Sequence, residues 1–231
     1  LSRLDHLIAI SDYTQSRVPL RWRKRVRVIP LGVSKNLLSC PWRPISWQTE
    51  ARYKLLSVGA IKPRKGFLEL IQGFKRFADR HHDTSSVLAI VGDTRHSEAY
   101  VKTLHNAIES LSLNGRVLLT GKVSEEDLYG WYRWCDAFAL TSMDDGGAFE
   151  GFGLVYLEAN IFGKPCLGAR ATGASQAIGA RSGVIVPSVS PEDIHEGLEA
   201  LFDPAASWEP QDWARLHSWA KVFALYQPYY A

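Results

Sequence analysis

The stretch FEGFGLVYLE places two glutamates, Glu150 and Glu158, eight positions apart with two glycines between them. Glycines let the backbone adopt unusual dihedral angles and let a ligand approach closely. The apolar run that follows is typical of a helix starting near Phe152, and a helix start presents free N–H groups and the positive end of its dipole. The pattern therefore predicts a phosphate site between two carboxylates.

The spacing of the two glutamates suits a nucleotide diphosphate that carries a transferable group. Eight residues of helix rise about 12 Å, at roughly 1.5 Å per residue. A carboxylate accepts hydrogen bonds from vicinal hydroxyls, so Glu158 suits a ribose. Glu150, at the other end, suits a sugar or a developing positive charge. We therefore expect the two carboxylates at either end of a diphosphate rather than as an acid–base pair.

A basic loop, GAIKPRKG, supplies the opposite charge after an apolar run. Lys62, Arg64 and Lys65 lie within four residues there, beside Pro63. Cationic side chains at such a place neutralise a diphosphate leaving group. A single one of them would more simply be a solvated loop side chain. Their combination with a glycine-rich helix start favours the phosphate site.

Short apolar runs alternate with amphipathic segments from about residue 53 to residue 204. Continuous apolar strands separated by helices are typical of a parallel sheet that is covered on both faces. The sequence thus predicts a doubly wound α/β domain, in which ligands bind at the carboxyl ends of the strands. The strands are expected in KLLSVG, VLAIVGD, RVLLTG, DAFALTS, KPCLGA and GVIVPS, and the helices in residues 66–80, 97–111, 124–132, 152–162 and 191–202.

The first fifty residues fall outside this alternation. LDHLIAIS (residues 4–11) and RVRVIPLGV (residues 25–33) predict two more strands with a short helix between them, and CPWRPISWQTE predicts a linker. The segment RVPLRWRKRVR, from Arg17 to Arg27, has six basic residues in eleven. This segment suits peripheral contact with an anionic membrane or an acidic partner, or it is a solvated turn before a strand.

The composition excludes several classes of protein. With 231 residues, 46% hydrophobic and 22% charged, the chain is an ordinary globular one. A formal net charge of +3 is too small to indicate binding to nucleic acid. The three cysteines form no CxxC pair, which fits a reducing, cytoplasmic compartment and argues against disulfides or zinc. No apolar run approaches the roughly 18–20 residues of a membrane span, and Asp144-Asp145 lacks the spacing and the nearby histidine of a metal site.

Taken together, these motifs resemble the carboxyl-terminal half of the retaining GT-B glycosyltransferases of family 4, also called group 1. The most specific piece is EGFGLVYLEA followed by GKP, in which the E-x7-E signature falls on Glu150 and Glu158. The order and the spacing agree over nearly the whole chain. The other matching segments are DHLIAISDYT, VRVIPLGVS, VGAIKPRKGFLELIQGF, GKVSEEDLYGWYRWCDAFALTS and GVIVPSVSPEDIHEGLEALF.

The resemblance implies a role for each matching position. Glu150 would be the catalytic residue that faces the donor sugar, and Glu158 would bind the ribose. The amides of residues 151–154 would hold the diphosphate together with Lys65 and Arg64. The full set of expected donor-binding residues is Gly59, Arg64, Lys65, Lys122, Val123, Gly151, Phe152, Gly153, Leu154 and Glu158, of which Lys122 and Val123 would line the base pocket.

The resemblance also implies the reaction. A hexose, such as mannose or glucose, would pass from UDP or GDP to a hydroxyl of a glycan or lipid acceptor, with retention of the anomeric configuration. No metal and no other cofactor would be needed.

The resemblance further divides the chain. Residues 1–50 would be the tail of an N-terminal GT-B domain plus a linker, and residues 51–205 the Rossmann-like donor domain. Residues 206–231 would be helices that pack back toward the N-terminal domain. The remainder of that domain, which holds the acceptor in the family, would be a missing partner, so this chain would supply mainly the donor-binding half.

Two positions depart from the family's pattern. Ala60 stands where many members have an arginine that helps a lysine to hold the phosphates, so Arg64 or Lys62 would have to compensate. Gln176 stands where a glutamate is common. These departures keep open a second hypothesis, a non-catalytic module for binding a nucleotide sugar or a partner, descended from such an enzyme.

Overall fold

The computed structural model describes residues 6–81, 85–95, 97–170 and 172–229. Within these ranges the strands are β1 (Leu7–Ala9), β2 (Val26–Val28), β3 (Tyr53–Val58), β4 (Ser86–Val91), β5 (Val117–Gly121), β6 (Ala137–Leu140), β7 (Cys166–Ala169) and β8 (Gly183–Val186). β1 and β2 form a small parallel sheet. The other six form one parallel sheet in the order β5-β4-β3-β6-β7-β8.

Helices connect these strands and close the chain. In the described ranges they are α1 (Asp12–Ser16), α2 (Leu20–Arg23), α3 (Phe67–Arg80), α4 (Glu98–Ser110), α5 (Glu125–Trp134), α6 (Leu154–Ile161), α7 (Ala174–Ala177), α8 (Pro191–Leu201), α9 (Pro210–Leu216) and α10 (Trp219–Tyr226).

The large sheet is buried on both faces, which explains why its strands are continuously apolar. All six residues of β4 and all four of β6 are buried. Helices α3 and α8 pack closely because Gly73 lacks a side chain: a Cβ there would come within 2.4 Å of Ile194. Phe67, Phe74 and Phe77 of α3 are almost fully buried, and each such side chain contributes about 1.5–3 kcal/mol of hydrophobic stabilisation.

The strand order places a switch point beside β3. β3 pairs with β4 on one side and with β6 on the other. The chain therefore moves outward from β3 to β5 and then returns to build the other half of the sheet. Ligands of open α/β sheets bind at such a point, outside the carboxyl ends of the strands. Here the loop after β3 contains Lys65 and the loop after β6 contains Glu150.

The N-terminal piece, residues 6–33, packs against the C-terminal helices. The Val33 N–H donates to the His217 carbonyl at 2.8 Å, and a Cβ on Gly32 would lie 2.8 Å from the ring of Trp219. The sheets and helices follow the predicted order. The domain boundaries at residues 50 and 205 stay predictions.

Several predicted elements differ from the observed ones at their ends. The strand predicted over residues 4–11 is Leu7–Ala9, and residues 4 and 5 lie outside the described ranges. The linker of residues 40–50, all of which are described, contains no helix or strand, and Trp47 packs against Trp131 and Trp134. Within the described ranges, no helix has the length and apolar character that would let it cross a membrane.

Candidate functional site

The loop after β3 delivers Lys65 to the switch point. Pro63–Lys65 form a short 3-10 turn, and Gly66 after it has a φ of +68°. A Cβ on Gly66 would come within 2.1 Å of the Thr141 carbonyl oxygen, so glycine is required for this contact between the loop and the end of β6. The Lys65 stem runs along Gly59, where a Cβ would lie 3.7 Å from the Lys65 Cδ. The loop thereby directs the Lys65 ammonium toward the loop after β6.

Lys65 and Glu150 form an ion pair through Nζ and Oε2. Their side chains are only 12% and 16% exposed, so the attraction is stronger than in a solvated surface pair. Ser142 Oγ donates to the same Glu150 oxygen at 3.4 Å, and the Gly173 N–H donates to the Glu150 carbonyl at 2.8 Å. The fold thus joins one predicted phosphate-binding cation and the predicted catalytic carboxylate, which lie 85 residues apart in the chain.

Helix α6 begins at Leu154, two residues later than the predicted start at Phe152. The Phe152 side chain is buried in the core, with 1% of its surface exposed. Gly153 occupies the N-cap position with a φ of +83° and offers the first turn no side-chain acceptor. A Cβ on Gly153 would lie 3.5 Å from the Glu150 Cγ. The start of α6, which is not capped by a side chain, therefore lies beside Glu150 and suits an anion.

Glu158 lies on α6 and is largely buried. It accepts a hydrogen bond from the Tyr132 hydroxyl at 2.8 Å. Burial raises the pKa of the Glu158 carboxyl, and the Tyr132 hydrogen bond opposes that rise only in part. Burial also raises the pKa of Tyr132, so the phenol is the donor in this contact. Further hydroxyl donors from a ligand would favour the ionised form of Glu158. Sequence reasoning missed Tyr132, because nothing in its segment marks a partner on another helix.

A cavity of about 610 Å³ opens on the Arg64 side of the β3 loop. The Arg64 carbonyl accepts from the Met143 N–H at 2.7 Å. The Arg64 Nη1 atom is buried without a hydrogen-bond partner among the residues the structure describes. Such a nitrogen suits an anionic oxygen of a ligand. The cavity is lined by Lys62, Pro63, Arg64, Ser97, Met143, Asp144, Asp145 and Ala148.

Lys122 and Val123, the predicted base-pocket residues, follow β5 and precede α5. β5 is separated from β3 by β4, so with about 4.8 Å between neighbouring strands these residues lie roughly 10 Å from the β3 loop across the sheet. Lys122 is exposed, and Val123 packs half-buried against the core. The structure places them on the same edge as Lys65 and Glu150 but apart from that pair.

Helix α1 contacts the glycine-rich loop from the N-terminal piece. Ser11, its N-cap, donates through Oγ to the Gly151 carbonyl at 2.5 Å, and the Thr14 hydroxyl donates to the same oxygen at 3.2 Å. Sequence reasoning missed both residues. The pattern of Ser11 before a short polar helix indicates an N-cap, but it gives no sign of a partner 140 residues away.

Gln176, one of the two departures from the family's pattern, has a defined partner. Its side-chain Nε2 donates to Asp12 Oδ2 at 2.9 Å, and its Oε1 accepts from the Asp12 N–H. A glutamate would lack the donor for the first contact and would face a carboxylate. The glutamine therefore fits this chain as a second link between α1 and the sheet domain.

Some arginines of the basic segment from Arg17 to Arg27 make contacts within the fold. Arg17 forms an ion pair with Asp144 at 3.2 Å. The Arg23 guanidinium donates to the main-chain carbonyls of Ser16 and Val18. Leu20, by contrast, is 77% exposed.

Asp144 and Asp145 are occupied by hydrogen bonds. The hydroxyl of Tyr13 holds the pKa of Asp144 below its usual value. Asp145 Oδ1 accepts from the main-chain N–H groups of Ala148 and Gly147 at 2.6 and 3.0 Å, which lowers the pKa of Asp145. Among the described residues, no group of three or more His, Cys, Asp or Glu is arranged to hold a metal ion.

A sequence profile of one family, described as Glycosyl transferases group 1, matches residues 42–209. The chain belongs to this family. The region matched to the group 1 glycosyltransferases includes Lys65, Glu150 and Glu158, whereas helix α1 lies outside it.

Curated group 1 relatives include two bacterial enzymes. D-inositol 3-phosphate glycosyltransferase from Arthrobacter sp. (strain FB24) is 28% identical over 210 residues, which cover 87% of this chain and 48% of that protein. GDP-mannose-dependent alpha-(1-6)-phosphatidylinositol monomannoside mannosyltransferase from Mycolicibacterium smegmatis is 27% identical over 212 residues, covering 87% of this chain and 54% of that protein. The chain spans about half the length of the curated relatives it matches.

Solved structures of glycosyltransferases match nearly the whole chain. HepE from Anabaena, in complex with UDP and glucose, aligns with a TM-score of 0.78 at 19% identity and covers 98% of this chain and 63% of HepE. Sucrose-phosphate synthase from Thermosynechococcus elongatus aligns with a TM-score of 0.77 at 22% identity, covering 100% of this chain and 59% of the synthase. At this identity the likeness shows the fold, which is the Rossmann-like carboxyl-terminal domain of a GT-B glycosyltransferase. The doubly wound α/β fold predicted from the sequence is thereby confirmed.

Proposed function

We propose that this chain is the donor-binding half of a retaining hexosyltransferase that uses a UDP- or GDP-hexose. The main support is the contact of Lys65 with Glu150 beside the start of α6. A cation that suits a phosphate and a carboxylate that suits a sugar thereby lie side by side at the switch point of a parallel sheet. The relatives support nucleotide-sugar donors, since the mannosyltransferase is GDP-mannose-dependent and the HepE structure contains UDP and glucose.

The diphosphate would lie against the start of α6, with Lys65 and Arg64 as its cations. Without donor, the Lys65 ammonium is held by Glu150. A diphosphate brings more negative charge to Lys65 than one carboxylate does, so donor binding would draw Lys65 to the phosphates. Glu150 would then be free to accept hydrogen bonds from the sugar hydroxyls. In this proposal, binding of the phosphates prepares the catalytic carboxylate.

The remainder of the nucleotide would lie along α6 and the sheet edge. The ribose diol would donate to Glu158, whose carboxyl already accepts from Tyr132. The base would reach the loop after β5, where Lys122 and Val123 lie on the same edge of the sheet. Of the donor-binding positions that the resemblance implied, Gly59 alone has no direct role in this proposal; it lies along the Lys65 stem.

The transfer itself would need no metal ion. The bond from the anomeric carbon to the phosphate oxygen breaks while the acceptor oxygen attacks the same face, which retains the configuration. Lys65, Arg64 and the amides at the start of α6 neutralise the leaving diphosphate, and Glu150 stabilises positive charge at the anomeric carbon. The acceptor hydroxyl passes its proton to the leaving phosphate oxygen.

The acceptor would be a glycan or a lipid, held by an N-terminal domain that joins this lobe. The phosphatidylinositol monomannoside mannosyltransferase among the relatives supports a lipid-linked acceptor. We propose a cytoplasmic protein whose basic segment, from Arg17 to Arg27 with Leu20 exposed, contacts the membrane peripherally.

Calorimetric and thermal-shift titrations with UDP, GDP, ADP and their hexose derivatives test the proposal. A ligand at 100 times its dissociation constant stabilises a folded protein by about 2.7 kcal/mol, which is readily visible as a higher melting temperature. Glu158→Ala should abolish stabilisation by the free nucleotide. Glu150→Gln should reduce affinity for the nucleotide sugar and spare or raise affinity for the free diphosphate, because it releases Lys65.

The outcomes separate the competing hypotheses. If none of these nucleotides raises the melting temperature, the donor-lobe proposal is wrong. If a nucleotide sugar binds but Glu150→Gln and Glu158→Ala lose the free diphosphate equally, the assignment of the two ends is wrong. Tight donor binding with no transfer, in a protein that also contains the N-terminal domain, would favour the non-catalytic binding module.

A further inference from the structure

Residues before and after Glu150 are contacted by one short part of the N-terminal piece, residues 11–17, which we call the clamp segment. On the side before Glu150, the Tyr13 hydroxyl donates to Asp144 Oδ2. The Arg17 Nη1 atom lies 3.2 Å from the same carboxylate oxygen. Two donors from the clamp segment therefore converge on the loop that leads to Glu150.

The same two side chains, of Tyr13 and Arg17, contact the ring of Phe149, the residue immediately before Glu150. The Tyr13 ring meets the Phe149 ring edge to face, with 5.2 Å between centroids. The Arg17 guanidinium carbon lies 5.5 Å from the Phe149 ring centroid. Edge-to-face and cation–π contacts both depend on ring orientation, so they restrict the backbone from which the Glu150 side chain extends.

On the side after Glu150, the clamp segment holds the main chain. The Ser11 and Thr14 hydroxyls both donate to the Gly151 carbonyl. A Cβ on Gly151 would lie 3.5 Å from the Thr14 Oγ1, which shows how closely the two segments approach. The residues on either side of Glu150 are thus each fixed to the clamp segment.

The loop between β6 and Glu150 is anchored at its start, where the Met143 N–H donates to the Arg64 carbonyl at 2.7 Å, but its later part needs a further anchor. It contains Gly146 and Gly147, which restrict the backbone little. Some of its hydrogen bonds are local, such as that from the Gly146 N–H to Asp144 Oδ1 at 2.7 Å. Local bonds shape the turn but do not fix its place over the sheet. Tyr13 supplies a contact from outside the loop, since it lies on α1, 131 residues away from Asp144 in the sequence.

We propose that Tyr13 and Arg17 are positioning residues that set the Glu150 carboxylate at the sugar end of the donor site, acting through Asp144 and Phe149. The inference rests on the proposed function, since it concerns the same carboxylate. It adds that the sugar end is built jointly by the sheet domain and the N-terminal piece. The hydrogen bond from Tyr13 also lowers the pKa of Asp144, as expected for a carboxylate that stays ionised in this contact.

The first test compares ligands with and without the sugar. Tyr13→Phe removes one hydroxyl, and Arg17→Met removes the charge while keeping much of the side-chain length. Each should weaken binding of UDP-glucose or GDP-mannose by about tenfold, the equivalent of one hydrogen bond to a charged group. Binding of UDP or GDP should be unchanged or somewhat tighter, because Glu150 is not proposed to contact the phosphates and a displaced Glu150 would hold Lys65 less firmly. Isothermal titration calorimetry measures both.

Arg21→Met is the matched control, since Arg21 is an exposed arginine in the neighbouring helix α2. It should alter neither affinity. Equal losses with and without the sugar in Tyr13→Phe and Arg17→Met would indicate a general structural role and overturn the inference. So would unchanged affinities for all four ligands.

A second measurement does not depend on any nucleotide. The Gly146 N–H, which is bonded to Asp144, should exchange with deuterium faster in Tyr13→Phe and Arg17→Met than in Arg21→Met. Unchanged exchange across residues 143–151 would overturn the inference even if the donor site is correct. If the unaltered chain binds no nucleotide, the proposed function fails, and this exchange result alone decides whether the clamp exists.

Discussion

The two glutamates of the glycine-rich stretch have partners of opposite kinds. Glu150 faces a cation, Lys65, whereas Glu158 faces a neutral phenol, Tyr132. Both carboxyls are shielded from much of the solvent, but among the residues that the structure describes only Glu150 is paired with a cation. Burial accordingly raises the pKa of Glu158.

This difference teaches that a donor would act differently at the two ends of the site. At Glu150 the phosphates of a donor would have to compete for Lys65, which is already bound, so binding would exchange one ion pair for another. At Glu158 a ribose would add hydrogen-bond donors to a carboxylate that accepts from Tyr132, so binding would only add contacts. Substitutions near Glu150 should therefore report on the exchange of ion pairs, and substitutions near Glu158 on the burial of its carboxyl.

The largest expected effect comes from removing the cation. Lys65→Met should weaken binding of UDP or GDP by roughly 100-fold, since truncating one member of a shielded charge pair costs about 2–5 kcal/mol. Calorimetric titration measures the loss. Lys62→Met in the same loop is the control, because Lys62 is exposed and should change the affinity far less. Equal losses of affinity in Lys65→Met and Lys62→Met would contradict the proposal that the ion-paired lysine, rather than the exposed one, binds the diphosphate.

An intermediate effect is expected at Gly153, which lies between Glu150 and Glu158 at the N-cap of α6. Gly153→Ala forces a side chain into the left-handed region, at a cost of about 1–2 kcal/mol. Its Cβ would also come within 2.5 Å of the Tyr156 ring. Urea unfolding should show the loss of stability. Gly147→Ala, where a Cβ would lie 3.7 Å from the Asp145 Oδ1, should be close to neutral. An unchanged unfolding free energy in Gly153→Ala would contradict the observed start of α6.

The smallest effect is a pH dependence that belongs to Glu158. A folded-state pKa raised by burial means that its contribution to stability is present below the unfolded pKa and lost as the pH rises through the folded pKa. Glu158→Gln should therefore gain stability relative to the unaltered chain as the pH rises across that interval. Denaturant unfolding at a series of pH values measures this difference.

Tyr132→Phe sharpens the same test. It removes the hydrogen bond that lowers the Glu158 pKa, so the interval in which stability falls should extend to higher pH. Glu125→Gln, at the exposed start of α5, provides the control substitution. A Glu158→Gln profile parallel to that of the unaltered chain would mean that burial does not perturb this carboxyl.

The sequence predicted the glycine-rich helix start well but misplaced its first residue. Apolar spacing cannot distinguish the first residue of a helix from a buried residue just before it. Phe152 is such a residue, since its ring is buried in the core. The left-handed cap at Gly153 then moves the start of α6 to Leu154. Distant packing therefore decided the boundary.

The basic loop shows a second limit of sequence reasoning. Three cations beside a glycine predicted a site for negative charge, and the fold brings Lys65 to a carboxylate at that place. The sequence did not indicate which of the three cations would contact the carboxylate. Lys65 reaches Glu150, while Arg64 turns toward the cavity and Lys62 remains exposed. The choice depends on the 3-10 turn of Pro63–Lys65 and the close approach at Gly66.

By itself the sequence determined the alternation of strands and helices, the phosphate-suited helix start and the E-x7-E spacing, because these depend on periodicity and on chemistry within a few residues. Tertiary structure decided which groups meet: Lys65 with Glu150, Tyr132 with Glu158, and Tyr13 with Asp144. These partners lie 85, 26 and 131 residues apart. Such contacts arise only when the sheet closes and brings its loops to one edge, since no local pattern encodes the distance between side chains on different strands and helices.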